Sequence, residues 1–347
     1  MECTQVPNHK GEFISPELGE EIKEMAESGS LEVNYAAVDK LGQLRQVSDA
    51  IDLHIMAILE HPLVDGRVIA GAGLKVVVDC INSTGSISLP PLLDALGVEF
   101  TLINAEMTGE FAHNPEPLPE HLTQLCESVL TYEADMGISV DPDVDRLALV
   151  SEDGVFFGEE YTLVCVADYV LRHQKGPLVT NLSSSRALRD LASTFGVPCY
   201  YAPVGEVHVV NEMKSRGAVL GGEGNGGIID PTLHYGRDSL IGIALVLMHL
   251  ATSGKSLSQL KAGYPAYIMV KDKLAFDPAL SAQGILDKVA GHFDPETLDT
   301  RDGLKVDLPD AWVQLRKSNT EPILRVYAEA KTMEEAKALV EKVKGLI

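Results

Sequence analysis

Two consecutive α/β domains followed by a smaller α+β domain are the fold this 347-residue sequence predicts. Three observations carry that expectation. Strand-like and helix-like runs alternate from about residue 74 to residue 262, the rhythm of mostly parallel sheets covered by helices. From about residue 266 the texture changes to four strand-like runs with helices between and after them. The first 70 residues hold two helical patterns and no convincing set of strands.

In the first α/β unit the β-branched run over 74–79 reads as a strand, ended by the turn-rich Asn82-Ser83-Thr84-Gly85-Ser86. A helix over 90–96 and strands over 134–140 and 147–150 follow. Apolar residues at three- and four-residue steps make 159–173 a helix. The rhythm then repeats as strand 178–181, helix 185–195, strand 199–201, helix 206–216 and strand 218–220. The apolar run 240–250 is too short to span a bilayer and reads as a buried helix. Strands over 266–270, 303–306, 312–315 and 323–328 and helices over 279–292 and 333–346 complete the C-terminal part. Its last helix carries Glu334 and Glu335 early and Lys342 and Lys344 late, which suits the helix dipole. Helices over 16–26 and 47–59 are joined by polar turns. The expected domains are therefore 1–70, mainly helical, then 71–157, 158–265 and 266–347.

A net charge of −23 argues against a nucleic-acid partner, which calls for a basic face. It also means that local cations or a metal must hold any anionic substrate against a repulsive field. Five cysteines (Cys3, Cys80, Cys126, Cys165 and Cys199) are odd in number and lack CxxC spacing, so they read as reduced, mostly core thiols. With no signal-peptide pattern and no membrane span, a cytoplasmic protein without a membrane partner is expected.

Three motifs carry chemistry. Asp141-Pro142-Asp143-Val144-Asp145-Arg146 follows an apolar run, and residues two apart on an extended segment point the same way. Asp141, Asp143 and Asp145 can then converge, and close carboxylates repel unless a cation sits between them. Oxygen ligands favour a hard ion, Mg²⁺ first, then Mn²⁺ or Ca²⁺. Arg146 could hold a phosphate oxygen beside it. Taken alone, the run has a bland alternative, an acidic turn after a strand. The second motif, Arg316-Lys317-Ser318-Asn319-Thr320-Glu321-Pro322 with Arg325, is an inventory for gripping a dianionic phosphate, or else a solvated hairpin. The third, Gly221-Gly222-Glu223-Gly224-Asn225-Gly226-Gly227, lets a ligand approach the backbone. Its Glu223 and Asn225 suit vicinal sugar hydroxyls, and the run does not fit a dinucleotide fingerprint; a flexible structural loop is the bland alternative.

In this order the three segments resemble the metal-binding, sugar-recognition and phosphate-recognition loops of the α-D-phosphohexomutase superfamily, which comprises phosphoglucomutase, phosphomannomutase and phosphoglucosamine mutase. Val204-Gly205 and Phe111-Ala112-His113-Asn114-Pro115-Glu116-Pro117 are similar to further landmarks of that family. The resemblance implies two phosphohexomutase-type α/β domains and a C-terminal phosphate-binding domain around a cleft, preceded by a helical remnant of a first domain. It implies Asp141, Asp143 and Asp145 as Mg²⁺ ligands and Arg146 as the group stabilising the phosphoryl. Glu223 and Asn225 would lie on the sugar, and Arg316, Ser318, Asn319, Thr320 and Arg325 on the non-reacting phosphate. A hexose 1,6-bisphosphate is the family's intermediate, and a phosphoserine passes the phosphate.

That serine lies in a Ser-His-Asn-Pro loop, which these residues lack; His113-Asn114-Pro115 follows Ala112 instead. Lys10-Gly11-Glu12-Phe13-Ile14-Ser15 resembles sequence that follows the catalytic loop, so the chain reads as a family member beginning partway through domain one. Another polypeptide supplying the serine would be a partner. Many members have Ser at the place of Asn225 and His at the place of Gly227. His208 or His234 could substitute for that imidazole, or be ordinary histidines; Arg237 could face the cleft, and Asp238 reads as a helix cap. The functional expectation is phosphoryl transfer within glucosamine, mannose or glucose phosphates. The alternatives are a non-catalytic protein that binds sugar phosphate and Mg²⁺, and, on the DxD alone, a Mg²⁺-dependent phosphatase.

Overall fold

Both α/β units are built on one four-strand plan. A computed structural model describes residues 7–28, 37–44, 46–275, 281–317 and 323–347. In the first unit β1 (Lys75–Asp79), β2 (Glu99–Ile103) and β3 (Met136–Val140) run parallel and β4 (Leu147–Ser151) returns antiparallel, in the order β2-β1-β3-β4. In the second, β5 (Leu178–Asn181), β6 (Cys199–Ala202) and β7 (Leu220–Glu223) are parallel and β8 (Gly227–Ile229) is antiparallel, in the order β6-β5-β7-β8. The third sheet is antiparallel throughout. Its strands β9 (Ile268–Ala275), β10 (Leu298–Asp299), β11 (Leu304–Asp307), β12 (Trp312–Lys317) and β13 (Ile323–Ala330) lie in the order β10-β11-β12-β13-β9.

The helices are α1 (Pro16–Glu27), α2 (Ala50–Leu59), α3 (Gly66–Ala72), α4 (Gly85–Leu96), α5 (Thr123–Thr131), α6 (Glu159–His173), α7 (Ala187–Thr194), α8 (Glu206–Arg216), α9 (Ser239–Ser253), α10 (Leu257–Lys261), α11 (Ala282–Ala290) and α12 (Met333–Lys344). The apolar run of α9 is buried from Ser239 to Leu250 and packs on α6, so one core joins the two α/β units. α2 buries Ile55 and Ile58 and packs on α4 and α9. A separate core serves the third domain, where α12 covers β9 and β13. Among the described residues no helix is long and apolar enough to cross a membrane. Cys80, Cys126, Cys165 and Cys199 are unpaired, and Cys3 lies outside the described residues.

The predicted fold class holds, with local differences. The helix expected over 90–96 starts five residues earlier, at Gly85, so the glycine and serine of the expected turn form its first turn. Pro90 and Pro91 each remove a helical hydrogen bond, yet burial of Leu89, Leu92, Leu93 and Leu96 holds the helix together. Four of the seven residues of the glycine loop are strand: Gly221, Gly222 and Glu223 belong to β7 and Gly227 begins β8. Strand β9 continues to Ala275, beyond the apolar run, because Lys271 and Lys273 occupy exposed positions opposite β13, while the half-buried Asp272 pairs with Lys344 of α12.

Candidate metal and sugar-phosphate site

The two motifs of the α/β units occupy equivalent places: each is the hairpin between the last parallel strand and the antiparallel edge strand. The acidic hairpin joins β3 to β4, and the glycine hairpin joins β7 to β8. Each of Asp141, Asp143 and Asp145 offers a carboxylate oxygen, and these atoms lie within 4.8 Å of one another. Strand alternation, the expected cause, is not the reason. The segment is a tight turn in which the Val144 N–H donates to the Asp141 carbonyl at 3.1 Å. Asp141 Oδ1 accepts from the backbone N–H groups of Asp145 (3.0 Å) and Arg146 (3.1 Å). Val144 sits at φ 61°, a left-handed conformation that costs a β-branched residue energy. Ser239, the first residue of α9, holds it there by donating both its N–H (3.2 Å) and its Oγ–H (2.7 Å) to the Val144 carbonyl.

The turn is short of positive charge. Burial, and then the charge of Asp145, push the Asp141 carboxyl up to about 7. Burial raises Asp145 as well. Asp145 Oδ1 and Arg146 Nε are both buried without a hydrogen-bond partner. Arg146 Nε stands 3.5 Å from Asp141 Oδ2 and 3.7 Å from Asp145 Oδ1, close enough for attraction but not for a good hydrogen bond. An all-oxygen donor set with an orphaned buried oxygen fits a hard divalent cation.

The two hairpins touch. Arg146 and Gly227 form an isolated antiparallel bridge, and the Leu147 N–H donates to the Gly226 carbonyl at 3.1 Å. Gly226 has φ 88°, and a Cβ there would run into the Leu147 carbonyl. Gly226→Ala is therefore expected to cost about 1–3 kcal/mol, the scale of a strained backbone site, in urea unfolding. Asn225 Oδ1 accepts from the Gly227 N–H at 3.2 Å. Glu223 is buried: Oε1 accepts from Asn181 Nδ2 (2.8 Å) and the Gly205 N–H (3.2 Å), and Oε2 from Arg237 Nη1 (3.3 Å).

Arg237 is the hub. Its side chain, only 8% exposed, also reaches Asp145 Oδ2 at 2.5 Å and Glu206 Oε2 at 2.8 Å. One guanidinium thus faces three carboxylates from the acidic turn, the start of α8 and the end of β7.

The phosphate motif is joined on through the Val204-Gly205 turn. The Val204 N–H donates to Asp302 Oδ2 at 3.0 Å, and Arg316 Nε donates to Asp302 Oδ1 at 3.0 Å. Arg316 pairs directly across β12 and β13 with Arg325, which pairs in turn with Lys273 on β9. Directly opposed residues share a sheet face, and like charges so placed repel, so this row is a place for an anion. Arg316, Lys317, Val204 and His208 line a cleft of about 640 Å³ that does not include the acidic turn. Ser318, Asn319 and Thr320 lie outside the described residues. His234 does not turn to the glycine hairpin; its Nε2 is 3.0 Å from Asp238 Oδ2.

Residues 52–154, 158–267 and 268–346 match the models for domains II, III and the C-terminal domain IV of phosphoglucomutase/phosphomannomutase. The chain belongs to the phosphoglucomutase/phosphomannomutase family. It is 34% identical over 95% of its length to a probable phosphoglucosamine mutase of Methanopyrus kandleri, spanning 72% of that relative. It is 37% identical over 90% of its length to a phosphoglucomutase/phosphomannomutase of Thermococcus kodakarensis, spanning 68% of it. A crystal structure of a phosphoglucomutase/phosphomannomutase family protein from Burkholderia thailandensis shares the fold, with a TM-score of 0.81, 24% identity, and coverage of 96% of this chain and 70% of that one.

Several residues of this phosphoglucomutase/phosphomannomutase family chain escaped sequence reading. Glu206, Asn181, Asp302 and Lys273 look like ordinary polar residues at element ends or on an edge strand, and only long-range pairing brings them to the motifs. Arg237 left a signal, a lone arginine between His234-Tyr235-Gly236 and the Asp238 cap, but nothing local names its partners.

Proposed function

We propose that this chain holds the divalent metal and the hexose phosphate for phosphoryl transfer between positions of one sugar, with glucosamine, mannose or glucose phosphates as substrates. One observation carries the reading: an unbroken line of polar contacts runs from the acidic turn to the arginine row, through Asp145, Arg237, Glu223, Gly205-Val204, Asp302 and Arg316. Asp141, Asp143 and Asp145 would hold Mg²⁺, or Mn²⁺ in its place, which when bound neutralises charge on a transferring phosphoryl group. Arg146, whose Nε lacks a hydrogen-bond partner, is suited to an oxygen of that group. Glu223 and Asn225 face the sugar hydroxyls, and a hydroxyl donating to Glu223 Oε2 competes with the long Arg237 bond. Arg316 and Arg325, with Ser318, Asn319 and Thr320, take the phosphate that does not react. The same reading places the chain in the cytoplasm, supported by its unpaired thiols.

Cycling a phosphoryl group needs a phosphoserine, and the 347 residues contain no Ser-His-Asn-Pro loop. That observation favours a second reading, Mg²⁺-dependent sugar-phosphate binding without turnover by these residues alone. A coupled mutase assay with added glucose 1,6-bisphosphate, paired with calorimetric titration of the three hexose 6-phosphates, separates the two. Turnover supports the first, binding without turnover the second, and absence of both refutes the pair. Arg316→Ala is expected to weaken binding by about 1–3 kcal/mol, the worth of a charge-assisted hydrogen bond. An unchanged dissociation constant would remove the arginine row from the site.

A further inference from the structure

A second convergence of ligand atoms lies one residue along the chain from Arg237. Asp238 Oδ1 caps α9, accepting from the Leu240 N–H at 2.8 Å and the Ile241 N–H at 3.3 Å. That cap fixes the carboxylate so that Oδ2 meets two imidazoles, His54 Nε2 of α2 at 2.8 Å and His234 Nε2 at 3.0 Å. One ligand atom from each of the three residues falls within 4.8 Å of the others. The Asp238 side chain is 6% exposed, while His54 and His234 are 32% and 42% exposed, so the group has a buried anchor and an open side.

We propose that His54, His234 and Asp238 form a second metal site that takes a borderline transition ion of the Zn²⁺ class. Two imidazoles and a carboxylate are a donor set that zinc accepts with a fourth position left for water, whereas Mg²⁺ and Ca²⁺ require oxygens. The two clusters therefore sort ions by ligand chemistry, hard ions to the aspartates and softer ones to the histidines. Ligands about 2.0–2.2 Å from a tetrahedral ion stand roughly 3.3 Å apart. The 2.8 and 3.0 Å separations here need to open by only a few tenths of an ångström. An ion at this point ties α2 to the first turn of α9. Ser239 of that turn supports Val144, and the preceding Arg237 reaches Asp145, so occupancy bears on the acidic turn. The site stands independently of the phosphohexomutase reading.

Titration of the whole chain with Co²⁺ in excess Mg²⁺, which fills the acidic turn first, tests the proposal. One equivalent of Co²⁺ is expected to give the visible d–d bands of a tetrahedral site, and Zn²⁺ to abolish them. His54→Gln and His234→Gln, each checked for an unchanged circular-dichroism spectrum, should each weaken Co²⁺ binding by at least about tenfold through loss of one ligand in three. Asp143→Asn should leave it unchanged. Absence of the bands in the wild-type chain overturns the proposal whatever the variants do. So does binding that survives both histidine substitutions, or binding that disappears with Asp143→Asn.

Discussion

Replacing Arg237 with methionine is expected to destabilise the fold by about 3–5 kcal/mol, the cost of breaking a buried ion pair from one side. Asp145, Glu206 and Glu223 would lose the one cation they share, and their side chains are only 14%, 8% and 6% exposed. Burial already raises Asp145 and Glu206, so little charge imbalance remains to be tolerated. Two compensations should follow. Mg²⁺ should raise the melting temperature of Arg237→Met more than that of the wild type, because an ion at the acidic turn supplies the missing positive charge. Adding Glu206→Gln should recover part of the loss. Thermal unfolding with and without Mg²⁺ reads the first and urea unfolding the second, and a single variant within about 1 kcal/mol of wild type would show that the hub does not bind the hairpins together.

The second large effect concerns pH. The Glu160 carboxyl is packed against Gly224, accepts from the Ser185 N–H at 2.7 Å, and is pushed up to about 8 chiefly by burial. The charges of Glu159 and Glu329 add to the rise, while Lys271 and the Ser185 N–H oppose it. A carboxyl raised in this way keeps a proton in the folded chain that the unfolded chain has released. Stability therefore falls as pH climbs from the ordinary 4.5 to about 8, and it is highest, for this group, below that window. The slope is at most about 1.4 kcal/mol per pH unit. Glu160→Gln keeps the acceptor for Ser185 and removes the titration. It should be more stable than wild type near pH 8 and converge with it toward 4.5. Parallel stability curves across that range would show that the carboxyl is solvated rather than enclosed.

Legibility of the fold followed the strength of local patterns. Long apolar runs such as those of α6 and α9 are plain in the sequence, because ten consecutive residues (Thr162 to Leu171) and twelve consecutive residues (Ser239 to Leu250) of these helices are buried. Strand β2 (Glu99–Ile103) was missed: it is five residues long with no fully buried position, so it lacks a clear burial pattern. Glycines are poor strand formers, and Gly221-Gly222 read as loop. They are strand because Gly221 pairs with Val179 of β5 and Ile229 of β8, and Gly222 with Ile228, while Met213, Leu163 and the Gly227 carbonyl occupy the space that side chains would take. The charged end of β9 was lost for the opposite reason. Lys271 and Lys273 look like linker, yet each pairs across to β13, at Tyr327 and Arg325.

The candidate site divides along the same line. Residue types alone pointed to a carboxylate-rich turn suited to a cation, a glycine hairpin with one acid and one amide, and an arginine-bearing segment suited to a phosphate, because ligand chemistry resides in side chains and survives in a linear string. Only the tertiary structure decided that the aspartates converge through a left-handed turn at Val144 rather than along a strand. It alone placed Arg237 among three carboxylates and set Lys273 beside Arg325. Those contacts depend on which sheet edges meet and in what register, and that is settled by burial of the shared core, a quantity no short window of sequence contains.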